Sequence, residues 1–100
     1  MDQYELTLYV TGRSANSERA IANLQRIGEE ELAGRYKIAV IDVLEQPELA
    51  EDNKILATPT LIKTLPPPGR RVIGDLTDKK AVLQGLDIFP EVWEQERSQL

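Results

Sequence analysis

The 100-residue sequence contains no cysteine and no histidine. Those two absences exclude much of protein chemistry. Zinc sites of the Cys/His type cannot be built. Thiol nucleophiles, imidazole general bases and serine–histidine triads are ruled out as well. Without cysteine the chain carries no mark of its redox compartment, so the cytoplasm is the default expectation. Neither G-x-G-x-x-G nor G-x-x-x-x-G-K-[ST] occurs, so no phosphate-cradling loop is expected. No apolar run approaches the ~20 residues that a bilayer-spanning helix needs. No charged start followed by an apolar stretch resembles a secretory signal. Basic residues are also short, with 12 Lys and Arg against 17 Asp and Glu for a net charge of −5. That balance disfavours non-specific binding to nucleic acid or to anionic lipid. The one carboxylate cluster, Glu29 to Glu31, reads as a solvated helix face. The expectation is a binding protein without catalysis, cofactor or metal.

What is present suits one soluble domain. Hydrophobic residues make up 41% and charged residues 29%, too apolar for wholesale disorder and too short a chain for two cores. We place the domain at residues 1–89 and an acidic tail at 90–100. Val92 and Trp93 are the tail's large apolar residues, and it is expected to fray or to pack Trp93 on a neighbour.

"YELTLYV", Tyr4 to Val10, alternates as a strand, with Tyr4, Leu6, Leu8 and Val10 on one face and Glu5, Thr7 and Tyr9 on the other. From about Ser17 the period turns helical through Ala20, Ile21, Leu24, Ile27 and Leu32, with Ser14 or Asn16 as cap and Gly34 as stop. "YKIAVIDVL", Tyr36 to Leu44, is a β-branched run that reads as a strand buried on both faces. "EQPELAEDNKI" opens a short helix with Pro47 at its first position and Asn53 as its stop. Thr60 to Leu65 is a third strand. Pro66-Pro67-Pro68-Gly69 turns the chain, and "RRVIGD" returns as a fourth. A last helix carries Ala81, Val82, Leu83 and Leu86, capped by Thr77 or Asp75.

The resulting order, β-α-β-α-β-β-α with four strands and three helices, is an α/β, thioredoxin-like arrangement. Thr58-Pro59-Thr60-Leu61 resembles the proline loop of a thioredoxin. Where that family carries its dithiol, this chain has Ser14-Ala15-Asn16-Ser17. A serine hydroxyl without a base is a poor nucleophile and has no two-electron couple. The serines read as turn and cap residues, and the surface of such a fold is left to serve recognition.

The resemblance then narrows. "LYVTG" and "VIDVLEQPELAEDNKILATPTLIKTLPPPGRRVIGDLTDKKAVLQGLD", with the helix between them, resemble the circadian clock KaiB family over roughly residues 4–89. The KaiB-like sensor domain of the histidine kinase SasA shares the pattern, but the "LPPP…IGDL" block favours KaiB. The resemblance implies a non-enzymatic protein that binds the N-terminal ATPase ring of KaiC, competes with SasA and sequesters KaiA. It also implies two folds: the thioredoxin-like monomer, and a resting β-α-β-β-α-α-β form assembled as a homotetramer, a dimer of dimers. On this resemblance Glu48, Glu51, Asp52 and Lys54 on the second helix are expected to face KaiC. Arg19, Lys63 and Arg71 match basic positions of the family, and Arg70 belongs to the same basic turn.

The chain departs from the clock pattern in places. Ala39 stands where clock members have a lysine on the second strand, and Lys37 supplies a charge two residues earlier. Gln84 replaces an apolar residue, and the tail differs. KaiA binding is therefore the weaker expectation. One alternative is a KaiB homologue serving KaiC alone in stress adaptation. Another is a redox-dead thioredoxin-fold interaction domain. Fold exchange is expected to sit in the second half. Pro59 and the triplet Pro66, Pro67 and Pro68 would have to move together, while Gly85 and Asp87 weaken the last helix.

Overall fold

The computed structural model describes residues 3–89; the expected acidic tail, Trp93 included, lies outside them. The elements are β1 (Tyr4–Val10), α1 (Ala15–Glu31), β2 (Tyr36–Asp42), α2 (Pro47–Asp52), β3 (Thr60–Leu65), β4 (Arg70–Ile73) and α3 (Lys79–Gly85). One four-stranded sheet has the order β2-β1-β3-β4. β1 runs parallel to β2 and antiparallel to β3, which pairs antiparallel with β4.

The pairing lays residues out in rows. Val40, Leu8, Leu61 and Val72 form one row across the sheet, and Ala39, Thr7, Ile62 and Arg71 form the adjacent row on the opposite face. Leu8, Leu61 and the α1 and α3 residues Leu24 and Leu83 belong to one buried cluster, so α1 and α3 share the first face. The alternation in β1 holds for Leu6, Leu8 and Val10, all buried. Tyr9, expected on the polar face, is only 4% exposed. Its face is covered at that end of the strand.

β2 corrects the expectation of a strand buried on both faces. It stops at Asp42 rather than Leu44, and Lys37, Ala39 and Val40 are exposed, Val40 by 45%. The cause is its place at the sheet edge, with a partner strand on one side only. A β-branched run reads alike at an edge and at a centre. The stop is local. One carboxylate oxygen of Asp42 accepts the Leu44 N–H at 2.9 Å and the Gly12 N–H at 3.0 Å, turning the chain and tying it to the end of β1.

α1 begins at Ala15, two residues before the expected start, with Ser14 as its cap. The Ser14 hydroxyl accepts the Ser17 N–H at 3.1 Å. Asn16 lies inside the first turn. The helix closes through the Leu32 N–H to the Gly28 carbonyl, and Ala33 and Gly34 turn left-handed at φ 52° and 73°. Gly28 is required for a different reason. A Cβ there would come within 2.5 Å of Cε1 and Cζ of the Tyr36 ring, whose hydroxyl donates to Glu29 at 2.7 Å. Gly28→Ala is expected to destabilise the fold by about 1–3 kcal/mol, the range of an overpacked contact, in urea unfolding.

α3 is capped by Asp78, which accepts the Ala81 N–H at 3.1 Å, and not by the expected Thr77 or Asp75. Those two are engaged with each other, because Asp75 accepts both the amide and the hydroxyl of Thr77. These bonds, with a smaller contribution from Arg19, hold the Asp75 carboxyl below the usual carboxylate range. Two further ties fasten this segment to α1. The Asn23 amide donates to the Asp75 carbonyl at 2.9 Å, and Lys79 reaches Glu31 at 2.7 Å and Glu30 at 3.3 Å.

Candidate recognition surface

α2 is a single short helix with no buried residue. Pro47 occupies its first turn, as the missing N–H allows. Its far end is a Schellman motif: the Ile55 N–H reaches the Ala50 carbonyl at 2.9 Å and the Lys54 N–H reaches that of Glu51 at 3.1 Å. That motif needs a left-handed residue after the cap, and here the residue is Lys54, at φ 55°. Glycine is the usual occupant, so a lysine there carries a conformational cost of about 1 kcal/mol. Asn53 accompanies it, its side-chain amide donating to the Leu49 carbonyl at 2.9 Å.

The end of the helix is tied to the second face of the sheet. Arg71 projects from that face by register, and its guanidinium donates to the carbonyls of Asn53 at 3.0 Å and Lys54 at 3.2 Å. Glu48, Glu51, Asp52 and Lys54 are all exposed on α2 and its end, so the structure brings these four expected contacts together. Two leucines flank them. Leu44, before α2, is 68% exposed, and Leu56, after it, is 94% exposed. Sequence reasoning placed Leu44 at the end of a buried strand, which its exposure corrects, and assigned Leu56 no role. A single leucine in a loop has no periodicity to say whether it points in or out.

The other expected contacts are dispersed. Arg19 is tied to Asp75 at 3.4 Å, Arg70 flanks the β3–β4 turn, and Lys37 sits at the exposed edge of β2, five residues back from Asp42. Lys63 is not on the surface of this fold. It lies in the core-facing row with Leu6 and Ile38 and is 2% exposed. Burial pushes its amine below the usual lysine range, Asp87 opposes that shift, and Arg70 adds to it. The residues expected to govern exchange are likewise placed. Pro59, Pro66 and Pro68 each follow a cis peptide bond, with Pro67 between the last two. Gly85 ends α3, where a Cβ would meet Val72 Cγ2 at 2.7 Å, and Asp87 turns left-handed at φ 60°. Both therefore make local demands that an argument from helix propensity alone omits.

Where a thioredoxin would hold its dithiol against the proline loop, hydroxyls bond to one another. Thr11 and Thr58 meet at 2.5 Å, and Ser17, 1% exposed, receives the Ser14 hydroxyl at 2.9 Å and donates to the Thr11 carbonyl at 3.3 Å. These groups knit loops together and present no activated nucleophile. What the arrangement offers is an exposed helix end with an apolar residue on each side and charge between, a composition suited to docking a protein.

Residues 7–88 match the KaiB domain family. The circadian clock protein KaiB3 of Synechocystis sp. is 55% identical over 91 residues, covering 91% of this chain and 89% of that protein. The circadian clock oscillator protein KaiB of Prochlorococcus marinus (strain MIT 9312) is 58% identical over 96 residues, 95% of this chain and 91% of that one. Among solved structures, the N-terminal domain of Synechococcus elongatus SasA superposes with a TM-score of 0.71 at 25% identity, covering 84% of this chain and 80% of that domain. Mitochondrial thioredoxin 3 of Saccharomyces cerevisiae gives 0.68 at 15% identity, covering 87% and 79%, a likeness of fold alone. With a family match spanning β1 to the end of α3 and relatives aligned over nearly their whole length, this chain belongs to the KaiB family of circadian clock proteins.

Proposed function

We propose that this chain is a non-enzymatic clock regulator that docks α2 and its flanks on the N-terminal ATPase ring of a KaiC-type protein and so modulates the ring's phosphorylation and ATPase cycle. One observation carries the reading: Leu56, 94% exposed, stands beside the charged end of α2 in a chain 55–58% identical to KaiB proteins. An exposed apolar side chain set against charged neighbours is a composition that interface hot spots use. The likeness to the SasA domain supports competition between the two for one ring. In gel filtration with a KaiC-type ring, co-elution that depends on the bound nucleotide is expected. No complex in any nucleotide state would overturn the proposal.

Lys54 separates charge from backbone. Lys54→Glu reverses the charge without relieving the left-handed position, whereas Lys54→Gly removes the charge and suits that position. Both should weaken ring binding, Lys54→Glu by more. Lys54→Gly should leave unfolding stability unchanged or raise it by up to about 1 kcal/mol. Calorimetry of the complex and urea unfolding of the free variants check the two halves separately.

A second reading concerns KaiA. Ala39 lies exposed on the free edge of β2, where a lysine is the clock pattern, so the edge presents less positive charge. That favours a KaiB-type protein working with KaiC without KaiA. Adding KaiA to the preformed complex and finding no ternary species is the expected result. Free chain is expected to assemble as a tetramer, to be read by light scattering at tens of micromolar, an order-of-magnitude working range.

A further inference from the structure

Arg71 was expected to offer its charge to a partner, but the structure gives that charge another task. The C-terminal end of a helix leaves carbonyls without intrahelical partners and concentrates negative potential. At the end of α2 the Schellman bonds use the carbonyls of Ala50 and Glu51, and neither the cap carbonyl of Asn53 nor that of Lys54 beyond it has a partner in the motif. Arg71 takes both, one through each terminal guanidinium nitrogen, at 3.0 and 3.2 Å. It does so from β4, 17 and 18 residues away in the chain. The left-handed Lys54 sits between the two bonds and carries the conformational cost already described. A strained position persists only where its surroundings hold it, and these two bonds are part of that hold.

We infer that Arg71 is a positioning residue, a guanidinium strut from the β3–β4 hairpin that fixes the end of α2 and thereby the aim of Lys54 and Leu56. The inference rests on α2 being the docking surface, and it names the device that orders that surface before the partner arrives. Preorganisation of this kind raises affinity by reducing the ordering left to occur on binding. It also couples the surface to the β3–β4 hairpin. Any rearrangement that displaces β4 withdraws the strut and loosens α2.

The test is amide hydrogen exchange on the free chain, paired with ring binding across a salt series. Arg71→Met should speed exchange of the Ile55 N–H, which closes the Schellman motif, by about tenfold, the worth of a charged hydrogen bond. The β1 amides should be unaffected. Ring affinity should fall by roughly five- to tenfold with its salt dependence unchanged, because a strut alters dissociation while a contacting charge alters encounter. Arg71→Lys, which cannot bridge two carbonyls in the same fork, should fall between. If Arg71→Met unfolds the hairpin, seen as lost β1 protection, Arg71→Lys supplies the same comparison. Unchanged Ile55 exchange, with weaker binding and a shallower salt slope, would make Arg71 a direct contact and overturn the inference. Failure of the parent chain to bind any ring would count against the partner alone, because the exchange comparison needs no partner.

Discussion

Leu56→Asp is expected to weaken binding to a KaiC-type ring by about 2 kcal/mol or more, roughly thirtyfold, the loss that marks an interface hot spot. The same change should move the stability of the free domain by no more than about 0.5 kcal/mol, because a side chain 94% exposed has little burial to lose. The combination is diagnostic. A structural leucine would show the opposite pattern, with stability falling and affinity following it. Leu44→Asp, at a position 68% exposed on the other flank of α2, should act in the same direction with a smaller effect. Isothermal titration for affinity and urea unfolding for stability separate the outcomes. Unaltered affinity of Leu56→Asp would remove α2 and its flanks from the interface.

Lys63→Met is expected to stabilise the thioredoxin-like fold by up to about 1 kcal/mol. The buried stem of Lys63 draws its amine partly out of water, and an apolar side chain of similar length fills the same space without that loss. Asp87, its opposing charge, is exposed and stays solvated when the amine is removed. The pH dependence has a definite sign. Burial places the folded-state pKa of Lys63 below the 10.5 of an unperturbed lysine. Between those two values the unfolded chain binds more protons than the folded one, so stability rises with pH across that window. Below it both states are protonated and the cost of burial is fully present. The difference in stability between Lys63→Met and the parent should therefore shrink as pH rises from neutral toward 10.5. A constant difference across that range, or a less stable variant at pH 7, would show that the amine is well solvated where it lies.

The elements were legible in the sequence because their signals are local. Strict alternation from Tyr4 to Val10, Pro47 at a helix start and the proline triplet before "RRVI" each set a boundary without help from the rest of the chain. The errors came where a neighbour decides. β2 looked central because β-branched residues favour strands of either kind, and only the sheet order makes it an edge. The α3 cap fell to Asp78 over Thr77 and Asp75 because those two bond to each other, a local choice that residue preferences leave open. Tyr9 occupies the face that the period assigned, but its burial, like that of Lys63, depends on what lies above it.

The site was legible in part, and for the same reason. The charges of α2 follow from one short stretch, so Glu48, Glu51, Asp52 and Lys54 could be grouped before any fold was known. Arg71 could be identified as a cation but not as a strut, since its acceptors lie 17 and 18 residues earlier. Lys63 has the same charge as Arg71 and lies on the opposite face of the sheet. Register alone sends one outward and the other inward.

The central claim is that α2 and its flanks form the face that meets a KaiC-type ring. The most direct measurement is amide hydrogen exchange of this chain with and without a saturating ring in its binding-competent nucleotide state. The account predicts new protection concentrated from Leu44 to Leu56, with little change where β1 begins and at the Pro66–Pro68 turn. Protection confined to those distant regions, with Leu44 to Leu56 exchanging as in the free chain, would contradict it.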